Sequence, residues 1–372
     1  MNNGPDNNPI PPRDETALST VAALMNAAEQ HRNPDGAGFH TRRLMTMGEL
    51  FDTPDDDARY IVDGLLSLGS MSLLVAAPKV GKSTLARCLA VAVAKGVPWI
   101  GRDTWPDKMR TDDSGFVEQH GYPHDDGPIV VLSLEEKMSE VKRHFKEIGA
   151  TGDDPILVDC DPAPENGMDW LRYLVDTFNP CLLIVDPLFR LVRVKDTNDY
   201  AEINRVLEPV NTLARQSGTH IMVLHHARKG GGAAGEEALG STAIIGAGDC
   251  NLSMKRDEND RRTIYSQNRY GQDLEPTVLE MDQDGWIEAA GTKAAADAQD
   301  LEQNVLEFVE EKGEPLTSDK IISGLRVKRS TGKAAISTLV ANGRLTRVGD
   351  GKRGDPFLFS VPDPIDGERE RN

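Results

Sequence analysis

The chain is short of cysteine, of long apolar runs and of enough basic residues to balance its acids. Its four cysteines, Cys88, Cys160, Cys181 and Cys250, lie far apart and form no CxxC pair. They read as reduced, mostly buried thiols, the usage expected of a cytoplasmic protein. The longest apolar stretch, near Leu85 to Val97, is broken by Arg87, Cys88 and Lys95 and is too short to cross a bilayer. Nothing resembles a signal peptide, so no membrane association is expected. Lys and Arg number 42 against 60 Asp and Glu, a net charge of −18, which argues against a molecule that simply coats nucleic acid. An apolar share of 38% is modest for 372 residues and implies that part of the chain is tail or linker rather than core.

The texture of the sequence divides it. Residues 1–43, rich in Asn, Pro, Asp and Gly, read as a mostly disordered tail with one short helix over 17–30. From 44 to 290 short apolar runs alternate with amphipathic stretches. The runs Ser72–Ala77, Ile129–Leu134, Leu182–Asp186 and His220–His226 are buried strands, and helices follow at 83–95, 137–148 and 201–216. That alternation predicts an α/β domain with a mainly parallel central sheet. After Asp249 the pattern shifts to strands and turns up to Trp286. Residues 101–127 form an acidic insertion in which His120 and His124 read as solvent-exposed rather than as metal ligands. The small, polar stretch 291–299 is expected to be a linker, 300–362 a separate small unit, and 363–372 a charged tail.

The segment SLLVAAPKVGKST carries the first chemistry. A strand, a tight loop and a helix beginning Gly81-Lys82-Ser83 are the parts of a phosphate-binding loop, with Ala76 where the pattern has its leading glycine. Backbone groups from Ala77 through Pro78, Lys79, Val80 and Gly81 to Thr84 would wrap the phosphates at the positive end of the helix. Lys82 would reach the outer phosphates, and the Ser83 hydroxyl can ligate Mg²⁺. CLLIVDP places Asp186 at a strand end, where a carboxylate can hold Mg²⁺ through water. IVVLSLEE ends in Glu135 and Glu136. A carboxylate at that strand tip can orient the attacking water, with Glu135 favoured and Glu136 as fallback. A third strand ends in His225-His226. Adjacent side chains point to opposite faces, so one at most can face a γ-phosphate, and His226 is favoured over a purely structural histidine. ATP and Mg²⁺ are the expected ligands.

Taken in order, LLVAAPKVGKST, VVLSLEE, CLLIVDPLFRL and HIMVLHHARKGGG…GSTAIIGAGD resemble RecA-fold ATPases close to the RepA-type hexameric helicases of plasmids and phages, with the DnaB-type helicases as wider kin. The resemblance implies a ring-forming, ATP-dependent homo-oligomer that draws single-stranded or forked DNA through a pore, with replication proteins as possible partners. By position, Lys82, Ser83, Glu135, Asp186 and His226 take the roles above. The resemblance also marks Arg269, in SQNRYGQ, as an arginine finger for the neighbouring subunit. Gln267 stands where the family has a basic partner. Two loops would face the pore, one offering Arg190, Arg193 and Lys195 and the other Arg228 and Lys229. Apart from Phe189, neither carries an aromatic to stack on bases.

Residues 300–362 follow the order helix, helix, helix, hairpin, which resembles the winged helix-turn-helix domains appended to mobile-element replication proteins. Between Arg326 and Arg353 stand eight basic residues and one acid, Asp350. Lys333 on the recognition helix, and Lys352 and Arg353 on the wing, are the expected phosphate contacts. Docking to a protein is the alternative use of such a unit.

Overall fold

The computed structural model describes residues 46–52, 59–104, 127–192, 200–226, 248–257, 259–269, 272–352 and 354–362. The expected tails, nearly all of the acidic insertion with His120 and His124, and the candidate DNA contacts Arg193, Lys195, Arg228, Lys229 and Arg353 lie outside the described residues. The chain divides into two units, 1–58 and 59–372. Of the first, helix α1 (Met47–Asp52) is described, its start held by Thr46 and Glu49 exchanging side chain-to-backbone hydrogen bonds.

The second unit opens with the β1 (Tyr60–Val62) and β2 (Leu66–Ser67) hairpin. There follow β3 (Met71–Ala76), α2 (Lys82–Lys95), β4 (Ile129–Ser133), α3 (Met138–Glu147), β5 (Ile156–Asp159), α4 (Gly167–Phe178), β6 (Leu182–Asp186), the short α5 (Leu188–Leu191), α6 (Tyr200–Ser217) and β7 (His220–His226). Then come β8 (Cys250–Arg256), β9 (Arg262–Asn268), β10 (Thr277–Met281), β11 (Ile287–Thr292), α7 (Lys293–Lys312), β12 (Leu316–Thr317), α8 (Ser318–Leu325), α9 (Arg329–Ala341), β13 (Thr346–Val348) and β14 (Leu358–Ser360).

Nine strands form one sheet in the order β11-β10-β9-β8-β3-β7-β6-β4-β5. From β8 to β5 the neighbours run parallel, and β9, β10 and β11 fold back as antiparallel hairpins. β3, β4 and β6 are almost wholly apolar because helices cover both faces of the sheet. On one face α2 and α3 pack with Leu74, Leu89, Trp99 and Phe145. On the other, α4, α5 and α6 pack with Leu73, Val185, Leu207 and Val223. Each fully buried aliphatic side chain contributes about 1.5–3 kcal/mol. Helix α2 is buried nearly all round, which explains its run of small alanines, and it stops at Gly96 in the left-handed conformation.

The expected linker over 291–299 is instead the end of β11 and the first turns of α7. The Thr292 hydroxyl accepts from Ala295 N–H and caps the helix. Alanine is the strongest helix former, and Lys293 pairs with Asp297 one turn on, so the small residues that suggested a flexible joint make a helix. Arg261, just before β9, grips that helix through Asp297 at 2.7 Å and Asp300 at 2.9 Å. The expected first helix of the small unit, over 301–312, is therefore the second half of a 20-residue helix.

Beyond it α7, α8 and α9 share a core of Leu301, Val305, Ile321, Ile336 and Leu339, closed by a three-stranded sheet in the order β12-β14-β13. Gly324 is required there, because a Cβ would stand 2.2 Å from the Phe308 ring.

Candidate functional site

The register of the sheet collects the site. Ala76 pairs with His226 across β3 and β7, and Ser133 pairs with Asp186 across β4 and β6. The tips of four parallel strands thus end at one edge, where loops between strands and helices make a crevice. Ala76 is still in the strand and needs no unusual backbone angle. The loop turns further on, at Lys79 (φ 66°) and Gly81 (φ 113°). Gly81 calls for glycine because its φ is strained for an L-residue, while Arg262, Met254 and Ile287 stand at ordinary contact distance around it. Ala77, Pro78 and Lys79 are exposed, Val80 is buried, and Thr84 is half-buried on the first turn of α2.

A cleft of about 190 Å³ opens at this edge, lined by Lys82, Ser83, Ser133, Glu135, Glu136, Asp186 and His226. Lys82 is 6% exposed. Its Nζ lies 3.8 Å from Asp186 Oδ1 and donates to His226 Nε2 at 3.2 Å. Burial lowers the Lys82 pKa, opposed in turn by Asp186, Glu135 and Glu136. Because His226 Nε2 accepts from Lys82, its proton belongs on Nδ1, a buried atom with no hydrogen-bond partner among the described residues. His225 points the other way, packs edge-on against Phe189 at 4.8 Å and is held by burial at a pKa of about 4.

The two glutamates have different partners. Glu136 pairs with the buried guanidinium of Arg87 and lies 3.5 Å from His144. Glu135 accepts from Arg190 Nε at 2.7 Å and lies 3.8 Å from His226 Nε2. Breaking the Arg87 pair would strand a buried charge at a cost of about 3–5 kcal/mol. Glu135, one-third exposed and held by an exposed arginine, is the carboxylate free to change partner.

Other expected residues stand apart. Arg269 N–H donates to Asp249 O, and Asp249 N–H donates to Met71 O, so Arg269 sits level with the start of β3. At about 3.3 Å per residue that is roughly 17 Å from the phosphate loop of its own chain. Lys333 is exposed on α9, and Lys352 is exposed beside β13 with its Nζ 3.1 Å from Asp350.

No motif in the sequence marks Arg262. Its Nε donates to Val80 O at 3.0 Å, bracing the phosphate loop from β9 across 182 residues of sequence. It faces Arg256 in the antiparallel register, and burial lowers its pKa. Among the described residues no cluster of three or more His, Cys, Asp or Glu could hold a metal by itself. Mg²⁺ held by one hydroxyl, water and phosphate oxygens needs no such cluster.

Residues 40–232, just over half of the chain, match the family described as the AAA domain. The chain belongs to that family. The AAA domain match runs from before β1 to just beyond β7 and so spans every strand tip lining the cleft. No curated protein matches the chain. Among solved structures, a KaiC-like protein from the hyperthermophilic archaeon Pyrococcus horikoshii OT3 is 16% identical, with 62% of this chain and 93% of that one covered at a TM-score of 0.40. A RadB recombinase is 12% identical, covering 60% of this chain and 91% of its own at the same TM-score of 0.40. Among the described residues no helix is long and apolar enough to cross a membrane.

Proposed function

We propose that this AAA domain protein hydrolyses ATP with Mg²⁺ and couples hydrolysis to DNA as a ring-forming helicase or translocase, of the kind that serves phage or mobile-element replication. The observation that carries it is the convergence of Lys82, Ser83, Glu135, Asp186 and His226 on one cleft at the sheet edge. The donor set fits a magnesium triphosphate. Gly81 opens the loop, α2 presents its first amides, Ser83 supplies a hydroxyl, and Asp186 stands at the strand tip for a metal-bound water. When bound, Mg²⁺ offsets the negative charge that builds on the phosphates. Lys82 holds the outer phosphates with a positive charge kept dry by burial. Glu135 orients the attacking water and takes its proton at Oε as the new P–O bond forms and the bridging bond to the diphosphate breaks. His226, bonded to Lys82, senses the outer phosphate. Arg269 serves the neighbouring subunit. The C-terminal unit acts as a winged helix that holds DNA through Lys333, Lys352 and Arg353.

A second use of the same cleft is a nucleotide-switched DNA-binding or loading protein without unwinding activity. Gln267, exposed on β9 where a basic partner of Arg269 is expected, favours it. ATP turnover measured with and without single-stranded DNA, followed by strand displacement on a forked duplex, decides between them. Stimulated turnover with displacement supports the motor. Slow, unstimulated turnover with DNA binding supports the switch, and no turnover at all removes both.

A further inference from the structure

We propose that the turn between β8 and β9 links the phosphate loop to the C-terminal unit, so that a bound triphosphate and the seating of α7 stabilise each other. This rests on the reading of that loop as the ATP site. Two consecutive arginines make the link, Arg262 holding the loop and Arg261 the helix.

On the loop side, Arg262 Nε donates to Val80 O at 3.0 Å. The Val80–Gly81 peptide is trans, so its C=O and N–H point in opposite directions in one plane. A guanidinium that fixes the carbonyl therefore turns the Gly81 N–H away from itself. That N–H, at the entrance to α2, is one of those that would meet phosphate. Glycine at φ 113° leaves the peptide plane weakly determined by the chain itself, and the charged donor on its carbonyl aims it.

On the helix side, Arg261 engages all three guanidinium nitrogens. Nε meets Asp257 Oδ2 at 2.9 Å, Nη2 meets Asp297 Oδ1 at 2.7 Å, and Nη1 meets Asp300 Oδ2 at 2.9 Å. Asp257 lies in the turn, and its Oδ1 accepts from the N–H groups of Asn259 and Arg261, which braces the turn in one shape. The Asp257 and Arg261 side chains are 8% and 20% exposed, against 47% and 46% for Asp297 and Asp300. The inner pair is thus shielded, while the two pairs to the helix are weak enough to part and re-form. No residue of α7 before Leu301 is buried, so apolar packing does not fix this half of the helix and the grip of the turn carries its seating. The helix is continuous for 20 residues and takes Leu301, Val305 and Val309 into the C-terminal core, so that unit moves with it.

A triphosphate that holds the Gly81 N–H also holds the Val80 carbonyl against Arg262, steadies the start of β9 and keeps Arg261 within reach of both carboxylates. Linkage makes the effect mutual: a seated α7 favours the loop orientation that binds phosphate. Arg261 is a positioning residue, acting on the loop through Arg262.

The test uses the full chain with Mg²⁺ and a non-hydrolysable ATP analogue. Its readouts are analogue affinity and amide hydrogen exchange over residues 293–300. Saturating analogue should slow that exchange about five-fold in the wild type, a coupling at the low end of the usual range. Arg261→Ala should weaken analogue binding by the same factor and abolish the slowing. The double variant Asp297→Asn with Asp300→Asn should do both as well, and being confined to half-exposed positions on α7 it keeps the test independent of whether Arg261→Ala folds. A merely structural brace would lower the urea midpoint of these variants and leave analogue affinity unchanged in both, which overturns the link. Exchange over 293–300 that ignores analogue bound to the wild type overturns it too. A wild-type chain that binds no analogue at all removes the nucleotide site itself, and the link with it.

Discussion

Among the described residues that line the phosphate cleft Lys82 is the one lysine or arginine, so none of them can make good its loss. Lys82→Ala should lower ATP turnover by about 10²–10³, the usual cost of removing one preorganised donor to developing charge. Steady-state phosphate release measures it, and turnover at the wild-type rate would remove the nucleotide site. Arg262 acts differently, since it holds the loop by its back, through the Val80 carbonyl. A charged donor to a carbonyl is worth about 1.5–3 kcal/mol, so Arg262→Ala should weaken ATP binding about ten-fold or more. Titration with a fluorescent ATP analogue checks this, and kcat at saturating ATP should fall much less than affinity does. The contrast between these residues explains what could be read beforehand. Lys82, Ser83, Asp186 and the glutamate pair sit in short local motifs at strand tips, where spacing carries the chemistry. Arg262 reaches the loop only because β9 folds back along β8, and Arg87 acquires meaning only from the glutamate it meets. No local pattern marks such residues, because their partners are set by tertiary pairing.

At the scale of elements, His220 ties three strands together at the end of the sheet opposite the phosphate loop. Its Nδ1–H donates to Ser67 O of β2 at 2.7 Å, and Ser72 of β3 donates to its Nε2 at 2.9 Å, while His220 itself opens β7. Burial lowers its pKa to about 4, and that of His225 to about 4 as well. Between about pH 6.5 and pH 4 the unfolded chain therefore binds protons that the folded chain refuses. Stability is full above about 6.5 and falls as the pH drops through that window, by on the order of 3 kcal/mol for each ring. Urea midpoints at pH 7 and pH 5 measure the slope, and His220→Gln should flatten it by about half. An unchanged slope would mean that His220 does not control acid unfolding. The strands that position the site were legible because parallel strands covered on both faces are continuous apolar runs. β5 was not. It is a four-residue edge strand with Leu157 and Val158 partly exposed, so it lacks both length and a buried pattern. The stretch over 291–299 failed for the opposite reason: small residues suit a flexible joint and a helix equally, and the Thr292 cap with Arg261 behind it decides for the helix.

At the scale of the whole molecule, a chain of net charge −18 must concentrate its basic groups to hold DNA. Lys333 and Lys352 are exposed in the C-terminal unit, and among the described residues their side chains make one weak pair, that of Lys352 with Asp350. Neutralising both should lower the slope of log affinity against log salt by about 0.7 per lysine on a single strand, measured by anisotropy. An unchanged slope would assign the unit to protein docking. The proposed arginine finger makes the sharper demand. Arg269 lies level with the start of β3, roughly 17 Å along the sheet from the phosphate loop of its own chain. An arginine cannot span that distance, so any catalytic part it plays must be in a second copy. On the proposed function, Glu135→Gln alone would remove the base and Arg269→Ala alone the finger, so each variant by itself should be nearly inactive. In a mixture, some interfaces join an intact Glu135 from one subunit to an intact Arg269 from the next. Turnover should then rise above the sum of the two variants and pass through a maximum near equal proportions. Mixed oligomers verified by native mass spectrometry, yet inactive at every ratio, would return Arg269 to the role of a surface residue at the far edge of the sheet.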